Sequence, residues 1–226
     1  MLKILTYKYL VCALLFLLAG SVLSQTKSKH FSVYTGMGVS LTNSSSLNDY
    51  LRNTIPSGSG DTIKSFSTAI EFFGGLEYEL SKKFSLKVDY AYFFRSMTYS
   101  ISFLTYDYFY YIHQPYLIAN YSVKGNRYKI NMGAGAGYMF GTLSEAIYSV
   151  NEKKYSSSGL AVKTEVVISL ALSNNFYSYI SGSLSNSFMS SLKDSNGNKL
   201  THSNGKEVNL SSFNAGVRLG VLVYLF

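Results

Sequence analysis

Hydrophobic side chains occupy alternate positions in eight stretches of the chain, and the charged side chains of those stretches are confined to the opposite phase. In residues 66–80, for example, the even-numbered positions are uncharged, whereas Glu71, Glu77 and Glu79 hold odd-numbered positions. A period of two is typical of β-strands, because successive side chains point to opposite faces of the pleat. The pattern predicts an all-β chain of eight antiparallel strands, with ten strands as the alternative. The predicted strands are His30–Leu41, Phe66–Leu80, Phe84–Arg95, Tyr108–Tyr121, Tyr128–Phe140, Gly159–Leu172, Phe176–Phe188 and Leu210–Phe226.

The connections between these strands alternate in length. Tight turns lie at residues 81–83, 124–127 and 173–175, and longer segments at residues 42–65, 96–107, 142–158 and 189–209. Short turns at one rim and long loops at the other are typical of outer-membrane barrels, whose long loops are extracellular. An even number of strands then leaves both termini on the periplasmic side. Pro115 interrupts the fourth strand, and since proline cannot donate to a ladder, we expect a bulge there.

The N-terminal residues predict a secretory signal peptide that ends at Ser24. A basic start precedes an apolar run from Tyr9 to Gly20, and small residues follow this run. The run is shorter than the roughly 20 residues that a membrane-spanning helix needs, which makes an uncleaved anchor the weaker alternative. The predicted organisation is therefore a signal peptide at residues 1–24 and a single barrel domain at residues 25–226.

Composition separates this chain from ordinary soluble proteins. Aromatic residues make up 16% of the chain, including 21 tyrosines, and charged residues make up only 14%. Soluble domains contain about 25% charged residues. The net charge of +8 falls to +6 when Lys3 and Lys8 leave with the signal peptide, and the remaining lysines are dispersed, so nucleic acid is not an expected partner. Cys12, the only cysteine, lies in the signal peptide, which excludes disulfides and thiolate metal sites from the mature barrel.

Small residues on the polar phase indicate which face of the strands meets lipid. Glycine and serine recur there, for example at Gly36, Gly133 and Ser181, and they suit a narrow lumen better than a water-facing exterior, as in a soluble lipocalin-like barrel. Pairing across the turn at 81–83 places Glu77 opposite Lys87. We therefore predict a nearly balanced structural network inside the barrel, because eight strands leave little free bore, and a narrow porin-like pore is the alternative. Its predicted members are Glu71, Glu77, Lys87, Asp89, Arg95, Lys129, Lys163, Glu165 and Arg218.

The histidines are the candidates for chemistry. Some eight-stranded outer-membrane barrels modify lipid A with histidine, serine and an acid, so His30, His113 and His202 are relevant. His202 lies in a long loop and His30 at the periplasmic rim, and no second metal ligand keeps a regular spacing with any of the three. We therefore expect no catalytic site, no metal and no cofactor. Residues 194–198 resemble the start of a calcium loop, but Lys199 replaces the required glycine, which predicts a simple turn.

The last strand alternates apolar residues and ends on an aromatic residue. Tyr224 and Phe226 look like the C-terminal signal that the barrel-assembly machinery recognises. However, Phe226 shares its phase with Arg218, which belongs to the predicted lumen. Either a bulge shifts the phase near the end, or Leu225 and Phe226 both lie at the membrane interface.

Several features of the chain together resemble the bacterial outer-membrane protein β-barrel domain family, PorT-like, within the broader OmpA and OmpX type. They are the leader, the eight alternating segments, the segments at residues 114–117 and 128–138 and the aromatic terminus. The resemblance implies an up-and-down transmembrane barrel in contact with outer-membrane lipid and lipopolysaccharide, inserted by the barrel-assembly machinery. Function would lie in the extracellular loops.

We expect a non-enzymatic role in envelope structure or in binding an extracellular protein or another surface. The alternatives are a narrow pore, a secretion-accessory barrel and a lipid A-modifying enzyme. The candidate contact surface in the loops consists of Tyr99, Phe103, Tyr106, Tyr108, Tyr110 and Tyr111.

Overall fold

The structure, a computed structural model, describes residues 30–54, 68–101, 104–147 and 151–225. Eight antiparallel strands pair in chain order, and β8 pairs with β1 to close the barrel, as predicted. The strands are β1 (Phe31–Asn43), β2 (Thr68–Glu79), β3 (Phe84–Ile101), β4 (Leu104–Lys124), β5 (Tyr128–Ile147), β6 (Asn151–Ala171), β7 (Phe176–Met189) and β8 (Ser212–Tyr224), and the helix α1 (Ser45–Thr54) follows β1. The predicted signal peptide, Phe103 and Phe226 lie outside the described residues. Within these residues, no helix is long and apolar enough to cross a membrane.

The outer face of the barrel is an apolar band between two rings of aromatic side chains. Leu76, Val88, Val166 and Leu219 are exposed on this face, as the alternation predicts. The rim near the short turns carries Tyr78, Phe84, Tyr121, Tyr128 and Phe176, and the opposite rim carries Phe94, Phe109, Phe140, Phe188 and Phe213. An apolar band between two aromatic girdles is the arrangement by which transmembrane barrels contact hydrocarbon and the two interfaces. The neutral face of the strands therefore faces lipid.

Two of the predicted long loops are instead extensions of the barrel wall. β3 and β4 remain paired as far as Ile101 and Leu104, and β5 and β6 as far as Ile147 and Asn151. The loop predictions at residues 96–107 and 142–158 are therefore wrong for most of their length. Past the outer girdle, these two extensions (β3 with β4, and β5 with β6) leave the lipid but keep their backbone pairing. The period of two therefore continues there, with serine, threonine and tyrosine in place of aliphatic side chains.

The predicted bulge at Pro115 is also wrong. The register between β4 and β5 passes from the pair His113 and Phe140 to the pair Tyr116 and Gly137, which is three residues on each strand. Pro115 pairs with Tyr90 of β3, and pairing with β5 is interrupted only at residues 114 and 115. Because each backbone N–H of an antiparallel strand faces one neighbour only, the missing donor interrupts one ladder without displacing the strand.

Candidate functional site

The periplasmic half of the lumen contains one cluster of charges around Lys129. The Lys129 ammonium donates to Glu77 Oε1 at 2.8 Å and to Glu79 Oε1 at 2.9 Å. Glu79 also accepts a hydrogen bond from the Tyr224 hydroxyl at 2.9 Å and from Lys124 Nζ at 2.5 Å. All of these groups except the Lys124 ammonium are buried. Two carboxylates and two ammonium groups thus neutralise each other at this end of the barrel.

A second cluster, halfway along the lumen, is centred on Asp89. This carboxylate accepts hydrogen bonds from Lys163 Nζ at 2.8 Å, from Arg218 Nη1 at 2.9 Å and from the Tyr34 hydroxyl at 2.8 Å. The other terminal nitrogen of Arg218 binds Glu71. Arg218 lies on β8 and Glu71 on β2, so this pair forms only because β1 closes the barrel between them. Charge-assisted hydrogen bonds of this kind are the strong ones inside proteins.

Glu165 completes the second cluster. It accepts a hydrogen bond from Lys87 Nζ at 2.5 Å and lies 3.5 Å from Lys163 Nζ. The Lys87 ammonium also donates to the Tyr179 hydroxyl at 2.8 Å and lies 4.5 Å from the ring centroid of Tyr34. The second cluster therefore contains three carboxylates and three cations, and it is neutral like the first.

Eight of the nine predicted network residues join these two clusters. Arg95 does not: its guanidinium lies nearer the outer rim and donates to the backbone oxygen of Thr68 at 2.6 Å. Its placement in the network was wrong, because Arg218 reaches Glu71 across the closure of the barrel. Sequence reasoning missed Glu79 and Lys124, although Glu79 shares the phase of Glu77. It also missed three buried tyrosine hydroxyls, those of Tyr34, Tyr179 and Tyr224, whose positions on the lumen phase were the available signal.

Aromatic rings fill the space between the charges. The rings of Tyr34 and Tyr179 stack with their centroids 5.2 Å apart, and Phe73 lies against both. Gly75 makes room for this packing, since a Cβ atom at this position would overlap the Tyr34 phenol. The lumen is thus packed by side chains.

Because the lumen is filled, we expect the purified protein to be silent in planar lipid bilayers. The paired charges would have to separate before an ion could pass, and burial makes each separated charge unfavourable. Single-channel recording at voltages of both signs measures this directly. Discrete, reproducible conductance steps from the heat-modifiable folded fraction, absent from a mock preparation, would contradict the expectation.

The extracellular end of the lumen is covered by α1, which sequence reasoning treated as part of a loop. Leu47, Tyr50 and Leu51 form one stripe of the helix and are buried. They belong to one hydrophobic cluster with Tyr108 and Tyr110 of β4. The signal was available, because apolar residues at positions i, i+3 and i+4 after a run of serines predict a short amphipathic helix.

The segment between β7 and β8 forms the other half of this cover through an eight-residue repeat. Residues 192–199 and 200–207 each contain the tripeptide Ser-Asn-Gly, and each glycine has a positive φ, 84° and 79°. Leu192 and Leu200 begin the two units and Val208 follows the second. All three are buried, and their backbones are hydrogen-bonded to one another at 2.8–2.9 Å. The expected turn at residues 194–198 is present, with the Asp194 carboxylate accepting from two backbone N–H groups. We call α1 together with residues 191–209 the cap.

The candidate contact surface of tyrosines is only partly exposed. Tyr108 and Tyr110 point into the barrel and are buried, so their assignment to an exposed surface was wrong. Tyr99 and Tyr106 are half-buried against the same hydrophobic cluster. Tyr111 lies on the outer face, in an aromatic cluster at the level of the outer leaflet. The alternation of the strand continues through this segment and turns every second residue inward, which includes Tyr106, Tyr108 and Tyr110 but not Tyr111.

The C-terminal strand keeps its phase. Its register with β1 and β7 is continuous through Tyr224 and Val223 respectively, so the described part of β8 contains no bulge. Tyr224 points into the lumen and Leu225 is exposed outside. The role of Tyr224 and Phe226 as an assembly signal stays a prediction.

The three histidines lie at different places and do not form one site. His30 lies near the periplasmic rim, with its ring centroid 6.4 Å from that of Tyr78. His113 is on the lipid-facing side of β4, where its Nδ1 forms a hydrogen bond with the Tyr90 hydroxyl at 2.6 Å. His202 is in the cap and packs edge-on against Tyr50. In the part of the chain that the structure describes, no three histidine, cysteine or acidic side chains lie close enough together to hold a metal ion.

One acid beneath the cap has a perturbed titration. Burial raises the pKa of the Glu145 carboxyl, which lies on β5 beyond the outer girdle, and this effect exceeds the opposing effects of a hydrogen bond with Tyr50 and of the charge on Lys153. Tyr50 belongs to α1, so this contact links the helix to the extended wall of the barrel.

The sequence matches no family model and no curated protein sequence. Solved structures do resemble it. Neisserial surface protein A is 11% identical, with a TM-score of 0.52 over 89% of this chain and 100% of the other. A major outer-membrane protein from Thermus thermophilus is 12% identical, with a TM-score of 0.50 over 85% of this chain and 98% of the other. At this identity the likeness concerns the fold alone. With its closed eight-strand topology and its lipid-facing exterior, this chain has the fold of the small outer-membrane β-barrels that it resembles.

Proposed function

We propose that this protein is a non-enzymatic, non-conducting barrel whose ordered cap binds a partner at the outer surface of the cell. The observation that supports this most directly is the construction of the cap. Its inner side is a hydrophobic stripe that packs onto the mouth of the barrel, and its outer side presents polar residues of α1 and of the repeat. A loop whose only task was to connect two strands would have no need of a buried core of its own.

The scattered histidines support a non-enzymatic role, and the filled lumen supports a non-conducting one. A lipid A-modifying enzyme would need its base, nucleophile and acid together near the outer leaflet. Here His113 has a tyrosine partner on the lipid face and His202 lies in the cap. A secretion-accessory role of the PorT-like kind, and the contact with the barrel-assembly machinery, stay predictions that rest on sequence resemblance.

Removing the repeat tests the proposal. A variant in which residues 191–209 are replaced by a two-residue Asn-Gly turn should still insert and keep its heat-modifiable migration, because the eight strands stay intact. Cells that display the native or the shortened protein are applied to a glycan array and to a panel of purified serum and matrix proteins. We expect the native protein to bind at least one member, with at least about tenfold weaker binding by the shortened form.

A matched control shortens the periplasmic turn at residues 173–175 to the same Asn-Gly sequence, which leaves the cap unchanged. This variant should bind as the native protein does. If the native protein binds no member of the array or the panel, or if the form without residues 191–209 binds equally well, the proposed function is wrong.

A further inference from the structure

A polar cleft of about 440 Å³ lies between α1 and the second turn of the repeat. This volume falls within the range of sites that hold small molecules. The two walls are joined, because the backbone N–H of Asn209 donates to Ser46 Oγ at 3.2 Å. The cleft lies in the cap, beyond the outer aromatic girdle, so its contents come from the aqueous side of the membrane.

His202 lines this cleft with an imidazole that has no hydrogen-bonding task elsewhere in the described parts of the chain. The residue is only 8% exposed, and its ring packs edge-on against Tyr50 of α1. In the first unit of the repeat, the equivalent residue is Asp194, whose carboxylate holds its own turn through the N–H groups of Asn196 and Asn198. The second turn is held instead by Asn204, which accepts from the Lys206 N–H at 3.0 Å. The turn uses the backbone of His202 but not its side chain, whose ring nitrogens are left for a ligand in the cleft.

The walls of the cleft carry two cations, one on each side. Arg52 is in the last turn of α1, and Lys206 is in the second turn of the repeat. Both residues are exposed, and neither has an ion-pair partner among the residues that the structure covers. Asp49 is the one acid among the described lining residues, which leaves a net charge of +1 with His202 neutral. An anionic group is therefore favoured between these side chains.

The remaining side chains of the lining define the rest of the ligand. They are serines and asparagines, including Ser45, Asn53 and Asn204, and no apolar side chain of the described segments lines the cleft. Acyl chains and apolar peptide side chains would find no surface to bury against, whereas amides and hydroxyls pair well with the vicinal hydroxyls of sugars. We propose that this cleft binds an acidic saccharide, with the phosphate or sulfate between Arg52 and Lys206 and a hydroxyl on His202.

The inference rests on the proposed function and specifies the partner of the cap. Two sources can provide such a group: a phosphorylated core oligosaccharide of bacterial lipopolysaccharide, or a sulfated glycan from another surface. Isothermal titration calorimetry of the mature chain in detergent distinguishes them. One arm uses core oligosaccharide freed from lipid A, and the other uses a heparin-derived hexasaccharide. The dephosphorylated and desulfated forms of the two probes serve as neutral controls.

We expect at least one acidic probe to bind and its neutral form to bind at least about tenfold more weakly. The double variant Arg52→Ala/Lys206→Ala should weaken binding of the acidic probe by a similar factor, whereas Asp49→Asn should preserve or tighten it because a repelling charge is removed. His202→Ala should also weaken binding, with partial rescue in His202→Gln, whose amide can still form a hydrogen bond. The arm that binds more tightly identifies the source.

The matched control is Lys83→Ala/Arg127→Ala, which removes the same two residue types from exposed turns at the opposite end of the barrel. It should bind like the native chain, and thermal unfolding of every variant confirms that the barrel is intact. The inference is overturned if neither acidic probe binds, if neutral and acidic forms bind equally, or if the two double variants behave alike. Should a protein of the panel described above bind the cap while both saccharides fail, the proposed function stands and this inference does not.

Discussion

Replacing Asp89 with Asn is expected to lower the free energy of unfolding of the barrel by about 3–5 kcal/mol. The side chain is completely buried, and Lys163, Arg218 and the Tyr34 hydroxyl all donate to its carboxylate. Asparagine keeps the volume but removes the negative charge, so Lys163 and Arg218 would stay buried with less compensation. Removing one partner of a buried ion pair lowers the free energy of unfolding by far more than the intact pair contributes to it, because the remaining charge cannot return to water.

Urea unfolding in phospholipid vesicles, followed by tyrosine fluorescence and by heat-modifiable migration, measures this change. The control is Glu152→Gln, which removes the acid of the ion pair with Lys154, whose side chains are 52% and 63% exposed. Exposed pairs of this kind contribute about 0–1 kcal/mol. A loss for Asp89→Asn no larger than that of the control would mean that water fills the lumen and that the charges are solvated.

Replacing Leu219 with Arg is expected to destabilise the inserted barrel by about 2–4 kcal/mol, the cost of arginine on the lipid face at the midplane. Leu219 is 58% exposed and lies on β8 halfway between Phe213 at the outer girdle and Leu225 near the other rim. In hydrocarbon, an outward-pointing guanidinium must either lose its hydration or draw water and head groups inward.

The depth dependence of this effect makes the experiment specific. Phe213→Arg places the same side chain at the outer interface, where the expected cost is about 0–1 kcal/mol because the guanidinium reaches the head groups. Unfolding free energies of both variants are compared in the same vesicles. Equal effects at the two positions would show that the outer face of the strands does not meet hydrocarbon.

The barrel could be predicted from the sequence because one physical rule governs most of it. Every second side chain of a strand faces the same environment, and charges are excluded from lipid, so Glu77 and Lys87 identify the lumen phase. The tight turn at 81–83 then fixes their register, and they do face each other. Which charges pair across the lumen could not be predicted in this way. Arg218 meets Glu71 only after β8 and β1 have closed the barrel. The alternation along a strand contains no information on the distance across the lumen between a side chain of β8 and one of β2.

The cap could not be predicted from the length of the connections, because a long connection between strands is also typical of an irregular loop. α1 has a readable stripe at Leu47, Tyr50 and Leu51, but a helix of 10 residues gains little stability alone and depends on burial against the barrel mouth. The extensions of the barrel wall beyond the outer girdle could not be predicted for a related reason. Beyond the girdle their outward residues become polar, so the contrast between phases fades although the backbone pairing continues. Inward tyrosines such as Tyr108 then resemble exposed ones.

The eight-residue repeat of the cap has a consequence for how such surfaces diversify. Each unit adds one aliphatic side chain to the interior and one glycine turn to the outside, and among the described residues only the first unit, through Lys193, is bonded by its backbone to a strand, at Ser156 of β6. The outward residues of the two glycine turns can therefore change without altering the strands below. A lineage of such proteins can vary the chemistry of its outer surface while the membrane-embedded part stays under unchanged constraints.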